Sequence, residues 1–206
     1  MSDIQLNFIN NSNDTNNSNI VIFQQAENPT FDETAIAWKV IQNCGRGDNH
    51  PFTYSQAVEV SASDSWGNFT PKMEANPGQA FSMVKNDTGD VLEASGQASS
   101  PAAYEINNEL QEGAINGYCY RSGSVCAQKT GIAPEQKALF EFVPKLFIGV
   151  ASDIEEGQAM DSAIISSINT ELSLLGIKSA DIVMTGGGAG ADATPYTFTL
   201  ENIVMA

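Results

Sequence analysis

Histidine occurs once in these 206 residues, cysteine three times, and lysine and arginine together only nine times. Each scarcity closes off a class of function. With His50 as the lone imidazole, any Ser-His-Asp or Cys-His pair would have to use it, and the chain has no Gly-x-Ser-x-Gly elbow. Three scattered cysteines and one histidine do not supply the three or four suitably spaced ligands of a zinc site. The nine cations never cluster, so the basic footprint that nucleic acid or an anionic membrane surface demands is missing. No apolar run approaches the roughly 18 residues of a membrane-spanning helix. Residues 1–20 hold no basic stretch leading into an apolar one, which predicts a chain without a classical secretion signal and a cytoplasmic location. The expectation is a protein that is not an enzyme, needs no cofactor or metal, and works by presenting surfaces.

Carboxylates are plentiful instead. Twenty-five of them set a net charge of -16 and a pI near 4.1. That excess keeps copies apart at neutral pH, and the repulsion fades as the pH falls toward the pI. An apolar fraction of 42% over this length suffices for a full core without disulfides. One domain spanning 1–206 is the economical reading, since all-β sandwiches often run to about 200 to 250 residues undivided.

Period-two alternation recurs along the whole chain. Ile4, Leu6 and Phe8 alternate with polar neighbours, as do Ile36, Trp38 and Val40, then Val58 and Val60, Phe140 and Phe142, and Tyr196, Phe198 and Leu200. Turn signals separate these runs: Asn76-Pro77-Gly78, Asn86 to Asp90, Ser122-Gly123, Ala133-Pro134 and Gly186 to Gly190. Short strands with one buried face predict an all-β, antiparallel β-sandwich or jelly-roll-like fold. Ser162 to Leu175 fits either a short helix ending at Gly176 or two strands. A faint internal echo runs through the chain. Asn10-Asn11 followed by Ile20 to Phe23 resembles Asn107-Asn108 followed by Ile115 to Tyr120, and Thr34 to Ile41 resembles Lys137 to Pro144. It implies two similar sheet halves packed face to face.

Most site-like features read as structure. His50, in Gly47-Asp48-Asn49-His50-Pro51, reads as a residue on a turn. Gly186 to Gly188 invites a phosphate-loop reading, but no lysine follows and an alternating strand does, so an inter-strand loop is favoured. Asp153, Glu155, Glu156 and Asp161 lack calcium-loop spacing and read as a solvated loop. Arg46-Gly47-Asp48 spells an integrin tripeptide and is taken as a turn. The five Asn-x-Ser/Thr sites at Asn10, Asn13, Asn16, Asn68 and Asn86 follow from an Asn-rich composition. Of the aromatics available to stack on a sugar, Trp38, Tyr54, Tyr118 and Trp66, the alternation puts Trp38 in the core. Trp66 falls at a turn and is the best ligand contact.

Cysteine is more informative. Cys119 and Cys126 flank Ser122-Gly123, and a two-residue hairpin loop there places them opposite each other at a hydrogen-bonded site, where a cross-strand bridge is strained. Cys44 has no evident mate. An odd cysteine without a secretion signal means a free thiol or a bond to another chain, and Cys44, Cys119 and Cys126 are the candidates for intermolecular disulfides.

Three stretches, Phe8 to Thr15 leading to Ile20-Val21-Ile22-Phe23, Ala37 to Ile41 before Gly47-Asp48, and Ser179 to Gly188, resemble the octin-like all-β proteins shared by bacteria and some fungi, the type member of which forms the matrix of crystals in fungal vacuoles. The resemblance implies an assembly-forming protein, packed into dense sedimenting bodies, and a vacuolar location. The resulting expectation is self-assembly into ordered particles or crystals, favoured by acid and by disulfides between molecules, with the chain itself as partner. The other expectation is a lectin-like module holding a glycan through Trp66 and the loops around Asp87 and Asp192.

Overall fold

The computed structural model describes residues 3–16, 18–27, 33–168 and 170–206. In chain order the strands are β1 (Ile4–Asn10), β2 (Asn19–Phe23), β3 (Glu33–Ala35), β4 (Ala37–Ile41), β5 (Asn49–Tyr54), β6 (Val58–Ser63), β7 (Met73–Ala75), β8 (Gln79–Asn86), β9 (Gly89–Gln97), β10 (Ala103–Asn108), β11 (Ile115–Arg121), β12 (Ser124–Ile132), β13 (Lys137–Glu141) and β14 (Lys145–Ala151). The helix α1 (Ser162–Ser167) follows, then β15 (Thr170–Ser173), β16 (Ile177–Gly187) and β17 (Thr194–Met205). The fold is all-β and mostly antiparallel, as the alternation predicts. The ambiguous segment resolves into both readings: Ser162 to Ser167 is helical, and Thr170 to Ser173 pairs with β14.

Contacts gather the described residues into two compact units. Unit 1 takes Met1–Gln24, Ala35–Gln56 and Pro144–Ala206; unit 2 takes Gln25–Thr34 and Ala57–Val143. Unit 1 holds two four-stranded sheets, ordered β17-β16-β1-β5 and β15-β14-β2-β4. Unit 2 holds β9-β8-β10-β13 and β7-β6-β11-β12-β3. The two sets correspond strand for strand except for β3, an added edge strand of unit 2 with no counterpart in unit 1. In the first sheet of each, the central pair is parallel, β1 with β16 and β10 with β8, and the flanking pairs are antiparallel.

Alternation explains the inner faces. Ile4, Leu6, Phe8 and Asn10 of β1 are buried, while Gln5 between them is exposed. In unit 1 the sheets meet through Trp38 of β4, whose ring lies edge-on to Phe52 and Tyr54 of β5 at 6.2 and 6.0 Å. In unit 2 they approach closely at Gly117 of β11, where a Cβ would lie 3.1 Å from Ile106 Cδ1 and 3.6 Å from Phe140 Cε2. β2 departs from alternation, with four consecutive buried residues. Its outer face is covered: Val21, Phe23 and Ala37 form one cluster with Ile154, Met160 and Ile168 from the β14–β15 connection. Gly149 of β14 makes room for that connection, since a Cβ there would stand 2.9 Å from Ile168 Cγ2.

The internal echo is present in the fold in a different form from the one expected. Asn10, the first of its Asn-Asn pair, corresponds to Asn108, the second of the other, so the echo is real but shifted by one residue; the repeat relates the two units, and each unit contains both of its sheets. Thr34 to Ile41 does not match Lys137 to Pro144. The counterpart of β4 is β12, and β13 corresponds to β5, because the alternation common to all these strands mimics a deeper likeness.

Candidate functional site

Trp66 stands alone among the four candidate aromatics. Trp38, Tyr54 and Tyr118 are buried, whereas Trp66 is 89% exposed. It sits on the β6–β7 connection, a narrow tip closed by paired backbone bonds from Asp64 N to Asn68 O and from Thr70 N to Ala62 O. Asp64 fixes the tip: its Oδ1 accepts from the backbone N–H of Trp66 and of Asn68, both at 2.9 Å, and its Oδ2 from Asn68 Nδ2 at 2.7 Å. The bonds from Asn68 hold the Asp64 carboxyl below the usual carboxylate range. Exposed Phe69 follows three residues after Trp66, its ring 5.1 Å from that of Tyr118.

A second exposed apolar group lies in unit 1. β17 is an edge strand, and among the described residues no strand pairs with its outer side. Its end carries Ile203, Val204 and Met205, which are 47, 50 and 63% exposed, and Leu175 before β16 is 74% exposed. Beside them a cavity of about 420 Å³ is walled largely by Ile4, Pro144, Leu174, Leu175 and Ile177. Asn202 bulges the strand just before these residues, with φ 50° and its Nδ2 donating to Asp181 Oδ2 at 2.7 Å. Sequence reasoning missed this edge. Its signal was three consecutive apolar residues where alternation had stopped, and Leu175 had been absorbed into a helical stripe that ends earlier.

The other candidates are structural. His50 lies on strand β5 opposite Phe8, correcting its placement on a turn. Gly186 and Gly187 belong to β16, so the glycine run is only partly a loop; a side chain at Gly186 would run into the Pro195 carbonyl, and one at Gly187 into the Tyr196 ring. Arg46-Gly47-Asp48 forms a turn, with Asp48 N donating to Gly45 O at 3.0 Å and Arg46 Nη1 to Asn13 Oδ1 at 2.9 Å. Asp161 caps α1, accepting from Ile164 N at 2.9 Å. Among the described residues no three His, Cys, Asp or Glu are grouped to hold a metal ion, and no helix is long and apolar enough to cross a membrane.

The Asn-rich loop after β1 is held together by its own side chains as well as by bonds to its surroundings. Asn10 Oδ1 accepts from Ser12 N and Oγ, and Asp14 accepts from the N–H of Asn16 and Ser18. Burial pushes the Asp14 carboxyl up, but these bonds and one from Tyr196 outweigh it and leave it lowered.

All three thiols are buried and none is bonded to another. A bulge corrects the expected register of the hairpin: Tyr120 faces Val125, Cys119 faces Ala127, and Cys126 falls in the extra position, its Sγ 3.4 Å from Cys119 O. Burial pushes the Cys126 thiol up to about 11 and that of Cys119 well above its usual value. Burial, with the nearby Asp48 charge, also raises Cys44. Such thiols stay protonated at neutral pH and are poor nucleophiles. Cys119 and Cys126 have no surface at all, so a bond from either to another chain requires the β11–β12 hairpin to open. In the folded chain only Cys44 remains a candidate for bridging, through a small opening of its turn.

In comparison with known proteins, the chain matches no family model, no curated protein and no solved structure.

Proposed function

We propose that this protein is a non-catalytic structural protein that associates with copies of itself, and that the apolar end of β17 with Leu175 is the surface through which it does so. One observation carries the reading. The same edge strand of unit 2, β9, ends in Ala94-Ser95-Gly96-Gln97, whereas β17 ends in Ile203-Val204-Met205. The fold is built twice and carries exposed apolar residues at the end of this edge only once, so the fold does not require them. An open edge that carries apolar side chains is a template for pairing with another chain. The net charge of -16 opposes that contact at neutral pH, and partial protonation of the carboxylates relieves it. The octin-like resemblance of Phe8 to Thr15 with Ile20 to Phe23, of Ala37 to Ile41 with Gly47-Asp48, and of Ser179 to Gly188 points the same way and suggests acidic vacuolar surroundings. Light scattering from pH 8 to 4, with and without reductant, tests it. Particles are expected to grow toward pH 4, and Val204→Lys to suppress growth while Gln97→Lys on β9 does not. A wild-type protein monodisperse throughout removes the reading.

A glycan-binding module is the second reading, favoured by the exposure of Trp66 on a tip that Asp64 holds rigid. Aromatic faces at fixed positions stack on sugar rings at little entropic cost. A glycan array that gives hits with the wild type and none with Trp66→Ala supports it; an array without hits removes it.

A further inference from the structure

We propose that two copies of this chain join by exchanging halves, so that the β1–β5 half of one chain completes its sandwich with the β14–β17 half of another. This rests on the self-association reading above and names how the contact becomes durable where buried thiols do not provide the lock.

The chain is two consecutive repeats, β1–β9 and β10–β17, each made of a front half and a back half. Unit 1 is the front half of the first repeat, β1, β2, β4 and β5, joined to the back half of the second, β14 to β17. Unit 2 is the front half of the second repeat, β10 to β13, joined to the back half of the first, β6 to β9, with β3 added at an edge. Neither repeat closes a sandwich from its own strands. Each front half is already paired with a back half that is not its own.

The equivalence reaches individual hydrogen bonds. Asn10 ends β1 and Asn108 ends β10; both are buried. Asn10 Nδ2 donates to Cys44 O at 2.7 Å, and Asn108 Nδ2 to Ile132 O at 2.8 Å. Their Oδ1 atoms accept from the backbone N–H two residues on, Ser12 at 3.0 Å and Leu110 at 3.1 Å. Gly47 N donates to Asn10 O and Asn10 N to Asp48 O; Glu135 N donates to Asn108 O and Asn108 N to Gln136 O. Gly47 and Glu135 share a positive φ, 87° and 64°. The back halves are reached identically: Asn11 N donates to Met184 O at 2.9 Å and Glu109 N to Met83 O at 3.0 Å. Cys44 to Asp48 and Ile132 to Gln136 share no residue at matched positions, so this clasp is a property of the fold.

A front half thus presents its central strand edge to any back half of this design, in its own chain or in a neighbour. The front half of unit 1 is also tied to unit 2 through β3, which pairs with β12, so the half that moves is β14 to β17, joined to the rest by one short connection from Glu141 to Lys145. Short hinges between exchangeable elements are the setting in which domain swapping joins protomers, and it does so with contacts already optimised for the single chain.

Gln5 of β1 and Ser179 of β16 are neighbours across the parallel junction of front and back halves in unit 1. The test mixes full-length chains carrying Gln5→Cys with chains carrying Ser179→Cys, both with Cys44→Ser, at neutral pH. The mixture is then acidified to assemble and treated with a short bifunctional thiol reagent. Each variant treated alone controls for like-with-like cross-links. Cross-linked dimers in the mixture beyond those of either variant alone are expected, because residue 5 of one chain then lies beside residue 179 of another. Assembled particles without those mixed dimers overturn the exchange while leaving surface association standing. If acidified mixtures never scatter more light than the neutral protein, the self-association reading and the exchange fall together.

Discussion

Units 1 and 2 have the same strand order and the same asparagine clasp, yet they differ wherever a strand or a connection faces outward. Between the equivalent strands β6 and β7 in unit 2 and β14 and β15 in unit 1, one connection is the tight tip carrying Trp66, and the other is a long segment with α1 that buries Ile154, Met160 and Ile168. On the equivalent outer edges, β9 carries Asp90 and Glu93 and ends in small and polar residues, while β17 ends apolar. What is shared is what closes a sandwich. What differs is free to vary, and the exposed apolar groups fall in that second set, which is why they are read as functional.

The comparison breaks first at the clasps. Asn108→Ala strips one buried backbone N–H and two carbonyls of their side-chain partner. Each buried polar group left unpaired costs about 1–3 kcal/mol, so a loss of about 3 kcal/mol or more is expected on urea unfolding. If the units are equivalent, Asn10→Ala loses a comparable amount; a loss under about 1 kcal/mol at either site, the range of an ordinary surface change, breaks the equivalence. Next come the two close-approach glycines. Gly149→Ala drives a methyl against the backbone and branched carbon of Ile168, whereas at Gly117 the nearest neighbours are the flexible ends of Ile106 and Ile132. Overpacking costs about 1–3 kcal/mol, and the larger share is expected for Gly149→Ala, measured by the same unfolding curves. Equal losses would show that the outer connection yields as easily as an inter-sheet side chain.

Much of this architecture was legible in local pattern. β1 and β17 alternate as half-buried strands should, and Trp38 sits on the apolar face that its neighbours Ile36 and Val40 define. The partners were not legible, because β1 pairs with a strand some 174 residues away, as the Asn7–Asp181 bond shows, and no local signal encodes such a pairing. The uninterrupted burial of β2 depends on a distant connection that covers its outer face. The Asn-Asn echo was visible but out of register by one: Asn10 matches Asn108, because only the last residue of each strand turns its amide inward to hold the turn. Cys119 and Cys126 were misaligned by a bulge that a two-residue turn rule does not foresee. The candidate sites divide the same way: the exposure of Trp66 was legible in its turn residues, whereas the β17 edge appears only once no strand among the described residues is seen to pair with its outer side.

The finest distinction is at matched positions on β1 and β10, where Asn7 of unit 1 corresponds to Glu105 of unit 2. Burial pushes the Glu105 carboxyl up, but its Oε2 accepts from Ser99 N at 2.8 Å, Ser99 Oγ at 2.7 Å and Lys137 Nζ at 3.2 Å, and these bonds leave it below its ordinary value. A carboxyl lowered by folding adds stability that is fully present above its unfolded pKa and is lost as the pH falls through the folded one. Asn7 does not titrate, so at this position acid weakens unit 2 and spares unit 1. Glu105→Gln is expected to lower stability at pH 7 and to flatten its decline with acid below the ordinary carboxylate pKa, while Asn7→Asp, which sets a second carboxyl against Asp181 and raises its folded pKa, is expected to lower stability at pH 7 and to regain part of that loss in acid. Thermal unfolding from pH 7 to 3 reads both. A Glu105→Gln protein that declines as steeply as the wild type would place the acid response elsewhere, on carboxylates such as Asp14 of unit 1, which folding also lowers.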